Sequence, residues 1–220
     1  MSRHSASRVT EAGLVLAALG LLALQAQRAH AGLVSTGSWP VIAGALVVGV
    51  LCADFATGIV HWFCDRFFDE RTPLLGAALI RPFREHHADP QAMVRHGLLE
   101  LHGNSAIPII AALAAVQLLE RGPPSVLAAS FDAWLFVVAA SCMATNQFHM
   151  WAHAASAPRI VRWLQGKGVI LSPTRHAVHH RHGFDRSYCM TTGLLNPVLD
   201  RFDFFGRLER GVRALGSAVR

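Results

Sequence analysis

The stretch PVIAGALVVGVLCADFATGIVHWFCD (residues 40–65) decides how the rest of the chain is read. Residues 40–53 carry no charge, and the run to Asp65 exceeds the roughly 20 residues that a helix needs to cross a bilayer. Asp54, Thr57, His61 and Asp65 then recur at helical spacing, so they share one face of the end of that helix. Ionisable groups are expensive within such a segment, which makes them candidates for function.

Composition points the same way. Of 220 residues 52% are hydrophobic and 15% charged, with a mean hydropathy of +0.35; a soluble domain carries about a quarter charged residues. The formal net charge of +6 suits a polar face set against anionic lipid headgroups. No polar basic domain exists to carry nucleic acid, so that partner is excluded. The basic residues are arginines apart from Lys167. Cys52, Cys64, Cys142 and Cys189 are scattered without a C-x-x-C pair, which leaves neither a disulfide framework nor a thiolate zinc site.

Working outward, apolar runs predict spans over about 12–27, 40–63, 105–119 and 133–150. The first could instead be a signal peptide ending at Ala29-His30-Ala31, but further spans follow and a helix is the preferred reading. The third is short and contains Pro108, which predicts a tilted or incomplete helix. The expected fold is all-α: one membrane domain over residues 1–220, a multi-pass helical bundle of about four spans. Histidine-bearing segments 64–103 and 151–220 form its cytoplasmic cap. With four spans, Arg28 and Arg121 are the only basic residues on one side. The positive-inside rule then puts both termini in the cytoplasm, with the bacterial inner membrane as the expected setting.

That topology gathers the histidines from His61 onward on one side. In Arg175–His182, His176, His179 and His180 fall at i, i+3 and i+4 on one helical face. His149 and His153, at i and i+4, end the fourth run. With His61, His86, His87 and His96 they make nine candidate metal ligands. That exceeds what one tetrahedral ion uses and matches two ions. An all-imidazole set suits iron, copper, nickel or zinc, of which zinc has no redox chemistry. Asp54 and Asp65 are candidates to orient imidazoles from behind, and Asn146 to hold a metal-bound water or fix helix geometry. Arg81, Arg84 and Lys167 are candidates for a phosphate headgroup. His4, His30, His102 and His182 fall outside the pattern.

Asp54-Phe-x-x-Gly-x-Val-His61-Trp62, Arg81-Pro-Phe-Arg-Glu-His-His87-x-Asp-Pro90, Arg95-His96, Thr145-Asn-Gln-x-His149-x-Trp-x-His153, His176-x-x-His-His180 and Thr191-Thr-Gly-x-Leu-Asn196 occur in that order. Together they resemble the plasmanylethanolamine desaturase family, to which plant fatty acid desaturase 4 is related. The resemblance runs from about Asp54 to Glu209. It implies a multi-pass membrane enzyme with two iron ions held by the nine histidines, dioxygen as co-substrate and a membrane phospholipid as substrate. The implied product carries a vinyl-ether double bond beside the ether oxygen, as in a plasmalogen. No flavin, nicotinamide or haem signature occurs, so electrons are expected from a separate ferredoxin or cytochrome b5-type donor. Gly97 replaces an expected acidic residue, and Glu100-Leu-His102-Gly-Asn104 also departs from the family pattern. These departures leave an acyl-lipid desaturase or hydroxylase with the same centre as the alternative. A transporter would need ionisable groups through several spans, and no H-E-x-x-H motif supports a zinc hydrolase.

Overall fold

The computed structural model describes residues 3–67, 69–73, 76, 80–120, 122–181 and 183–218, with the side chains of 3–7 and 216–218 left out. Arg121 and His182 lie outside the described residues. Among those described there is no strand. The elements are α1 (Arg3–Thr36), α2 (Trp39–Phe67), α3 (Arg81–Ala88), a 3-10 turn (Met93–Arg95), α4 (Leu98–Gln117), α5 (Val126–His153), α6 (Arg159–Gly166), α7 (Pro173–Arg181), α8 (Asn196–Arg201) and α9 (Phe204–Ala218).

Four of these, α1, α2, α4 and α5, are long and apolar enough to cross a membrane. Each extends beyond its apolar run, because hydrogen bonding within a helix continues into polar flanks where no proline intervenes. The connection from α1 to α2 is tight. Gly37 takes φ +61° to end α1, and Pro40 sits in the first turn of α2, where its missing N–H is no loss. α4 is a continuous 20-residue helix with Pro108 inside it, so of the tilted or incomplete helix predicted the incomplete form is not the one found.

The chain forms two compact units. Met1–Ala53 and His96–Gln147 make the first; Asp54–Arg95 and Phe148–Arg220 make the second. In the first, Ala18 and Leu22 of α1, Ala106, Ile109 and Leu113 of α4, and Leu135, Ala139 and Met143 of α5 form the core. Small residues there let helices approach closely, as lipid-embedded packing requires. Outward-facing Leu16, Leu19, Val47, Val48 and Ile107 are exposed, which suits lipid rather than water. Arg28 donates to the Val116 and Gln117 carbonyls at the end of α4, and Gln25 donates to Asp132 and accepts from Gln117. These contacts satisfy helix-end and buried polar groups that lipid could not.

In the second unit Trp62, Tyr188 and Phe205 make an aromatic core against which Leu208 and Val212 of α9 pack. Gly58 permits α2 to meet the segment after α7: a β-carbon there would stand 2.8 Å from Cys189 Sγ. Asp54, fully buried on α2, secures the same segment. Its Oδ1 accepts from the Thr192 and Gly193 amides at 2.7 and 2.9 Å, and its Oδ2 from Leu195.

Candidate metal centre

All side chains that converge belong to the second unit and come from four helices. The i, i+4 spacing puts His61 and Asp65 on one face at the end of α2, and His149 and His153 likewise on α5. α3 supplies His86 and His87; α7 supplies His176, His179 and His180. They sort into two sets, each with ligand atoms mutually within 4.8 Å: His86, His149, His153, His176 and His180, and His61, Asp65, His87 and His179. The sets adjoin, with the His86 and His87 rings 4.2 Å apart.

In the larger set the Nε2 atoms of His149, His153 and His176 form a triangle with edges of 2.8, 2.8 and 3.2 Å, and His180 Nε2 lies 2.9 Å from His176 Nε2. A neutral ring nitrogen is either donor or acceptor, so three mutually close nitrogens cannot all be satisfied by each other. An ion accepting all three lone pairs would satisfy them. Several buried atoms also lack any hydrogen-bond partner: both ring nitrogens of His61, both oxygens of Asp65, His86 Nε2 and His176 Nδ1. Unpartnered buried polar atoms concentrated in one place mark a site built for a ligand.

Asp65 departs from its expected role behind the imidazoles. Its Oδ2 stands 3.3, 3.6 and 3.7 Å from the Nε2 atoms of His61, His179 and His87, in their midst. The support from behind comes instead from backbone. His179 Nδ1 donates to the Arg186 carbonyl at 2.7 Å, and His86 Nδ1 approaches that of Pro82 at 3.4 Å. A carbonyl only accepts, so each Nδ1 carries the proton and each Nε2 presents its lone pair inward. Burial holds His86 and His176 well below their ordinary pKa, with neighbouring imidazoles adding to it. His87 falls to about 3 and His179 to about 4 for the same leading reason. The rings are therefore neutral near pH 7, the form that binds metal.

Other predicted residues lie elsewhere. His96 belongs to the first unit, where its Nδ1 stands 3.7 Å from Glu100, and neither ligand set includes it. Asn146, also in the first unit, donates to the Leu101 carbonyl and Ser105 Oγ, which fixes α4 against α5. Asp54 holds the backbone of Thr192, Gly193 and Leu195, and neither ligand set includes it. Arg81 pairs with Glu70 at 3.7 Å, Arg84 lies close enough to disfavour protonation of His87, and Lys167 caps α6.

Residues that spacing did not suggest complete the surroundings. The Phe184 ring stacks on His87 at 3.9 Å with its backbone at φ 60°, and Tyr188 Oη donates to the Phe184 carbonyl at 2.6 Å. The Tyr188 ring lies 5.1 Å from His179. These aromatics pack beside the smaller ligand set. An isolated aromatic in a loop carries no periodic signal that would have named it.

A four-helix, histidine-lined centre in a chain of membrane-spanning helices defines a class, and comparison with known proteins gives the family. The lipid desaturase domain model matches residues 50–219, so the chain belongs to the lipid desaturase domain family. It is 43% identical over 176 residues to a plasmanylethanolamine desaturase of Myxococcus xanthus, covering 79% of this chain and 61% of that protein. It is 36% identical to plasmanylethanolamine desaturase 1 of Mus musculus (80% and 66% covered) and 32% identical to chloroplastic fatty acid desaturase 4 of Arabidopsis thaliana (77% and 50%). The chain thus spans 61% and 66% of the first two relatives' lengths. No solved structure matches.

Proposed function

We propose that this chain is a membrane di-iron lipid desaturase that introduces the vinyl-ether double bond into an alkyl ether phospholipid. The observation that carries this reading is the pair of adjoining ligand sets, eight histidines and Asp65, in a member of the lipid desaturase domain family. The donor chemistry fits iron. His86, His149, His153, His176 and His180 would hold one ion; His61, His87, His179 and Asp65 the other. Asp65 adds the anionic oxygen that non-haem iron sites share.

Two irons bound there supply dioxygen activation and removal of hydrogen from an unactivated carbon pair. The overall change consumes O2, two electrons and two protons, turns adjacent CH2 groups into CH=CH and releases two waters. The protein's part is to keep the imidazoles neutral and aimed, through the Arg186 and Pro82 carbonyls. Phe184 and Tyr188 keep water away while the lipid chain is held. Both termini facing the cytoplasm, and a separate ferredoxin or cytochrome b5-type electron donor, belong to the same reading.

The relationship to plasmanylethanolamine desaturases favours the ether lipid as substrate. An acyl-lipid substrate is the second reading, favoured by the similarity to fatty acid desaturase 4. Expression in a plasmalogen-free host, with an electron donor and an alkyl ether lipid, distinguishes them. Acid-labile vinyl ethers in the parent and none in a His180→Ala variant are expected. New double bonds in acyl chains alone would favour the second reading, and no new double bond in either lipid would overturn both.

A further inference from the structure

Behind the ligand helix α7 lies a cavity of about 480 Å³ whose walls include Arg162, Lys167, Gly168, Ser172, Thr174 and Arg175. Three cations line it and no carboxylate does. Among the described residues Arg162, Lys167 and Arg175 make no ion pair. The two arginines are instead fixed by backbone. Arg162 donates to the Ala157 carbonyl at 2.7 Å, and Arg175 to those of Thr192 and Gly168 at 2.8 and 3.3 Å. Gly168 is required for this: it takes φ +71°, and a β-carbon there would meet the Arg175 guanidinium at 2.9 Å. Two guanidiniums held in place without neutralisation, beside a lysine and the Ser172 and Thr174 hydroxyls, are arranged to receive an anion with several acceptor oxygens.

The surrounding surface indicates where that anion comes from. α6 buries Val161 and Gln165 but exposes Ile160 and Trp163, 61% and 57% accessible, and Val169 follows at 53%. A short helix that exposes Trp and Ile between arginines is suited to the membrane interface, the depth of lipid phosphates. We propose that the α6–α7 cavity binds the phosphate of a membrane phospholipid and thereby positions the substrate. This rests on the lipid desaturase reading for its role, but not for its chemistry. Arg175 directly precedes His176, and a helix rises about 1.5 Å per residue. A phosphate in the cavity sets the glycerol end of the lipid, rather than the middle of its chain, beside the ligand helix.

Lys167 is the chain's only lysine, which gives a readout independent of turnover. The protein would be placed in bilayers of phosphatidylcholine, of uncharged galactolipid, or of galactolipid with inorganic phosphate. Each would be treated with an amine-reactive reagent, and labelling of Lys167 measured by mass spectrometry against the N-terminal amine. Phosphatidylcholine is expected to lower labelling about tenfold, the scale of one charge-assisted contact. Arg162→Gln is expected to restore it. Equal labelling in phosphatidylcholine and galactolipid overturns the proposal. Protection by inorganic phosphate equal to that by phosphatidylcholine overturns the lipid as occupant. In turnover, R162Q/K167Q is expected to raise KM for the phospholipid at least tenfold with bound metal per chain as in the parent. An unchanged KM with desaturation intact sinks the cavity and leaves the desaturase standing. Protection of Lys167 without desaturation of any lipid supports the cavity and sinks the desaturase.

Discussion

Asp65 Oδ2 lies 3.3 Å from His61 Nε2, one helical turn away on α2, and neither group has a hydrogen-bond partner. The carboxylate thus faces the same point as the imidazoles of His87 and His179 and could join them in holding an ion. Asp65→Ala is expected to lower bound metal from about two ions per chain to about one and to reduce activity more than a hundredfold, beyond the effect of losing an outer partner. His96→Ala is expected to retain both ions. Metal analysis of the two purified variants checks this; loss of metal in His96→Ala with retention in Asp65→Ala would reverse the assignment.

Asp54 is an anchor for backbone rather than for metal. Asp54→Asn sets an amide nitrogen among the N–H groups of Thr192, Gly193 and Leu195, and one buried donor left unmatched costs about 2 kcal/mol. Thermal unfolding in detergent should shift down by about 4–8 °C. Metal content measured well below the transition should equal the parent's. An unaltered transition with metal lost would make Asp54 part of the centre after all.

Acid should weaken the metal-free fold. Burial lowers the pKa of His86, His176 and His180, and brings His87 to about 3 and His179 to about 4, from an ordinary 6.5. Between those values the unfolded chain binds more protons than the folded one, so stability falls as pH drops below 6.5 and is fully present above it. Denaturation of chelator-treated protein at pH 7.5, 6 and 5 measures the trend. Stability that is flat or rises toward pH 5 would contradict the buried, neutral imidazoles.

The helical class and the four long apolar helices were legible because long uncharged runs leave little alternative, although the third run alone was too short to show that its helix starts at Leu98. The convergence of His149 with His153, and of His176 with His180, was legible as well, since i and i+4 spacing puts each pair on one helical face; His61, His86 and His87 were found by motif and not by spacing. What spacing cannot supply is the partner across the fold. Asp54 and Asp65 occupy the same face of α2, and nothing local says that one meets amides and the other imidazoles. His96 follows a 3-10 turn rather than sitting on a helix with other ligands, so its motif carried no geometric constraint. Phe184 and Tyr188 left no periodic trace, being loop residues whose role depends on where α7 ends.

The desaturase proposal requires two irons, one in each ligand set. Purified protein, loaded under anaerobic conditions with ferrous iron in zinc-free buffer, should contain about two irons per chain and consume dioxygen only when both are bound. His176→Ala should lose the ion of the larger set and keep about one. One iron or fewer in the parent chain, or two irons that consume no dioxygen, would contradict the di-iron centre and the desaturation chemistry built on it.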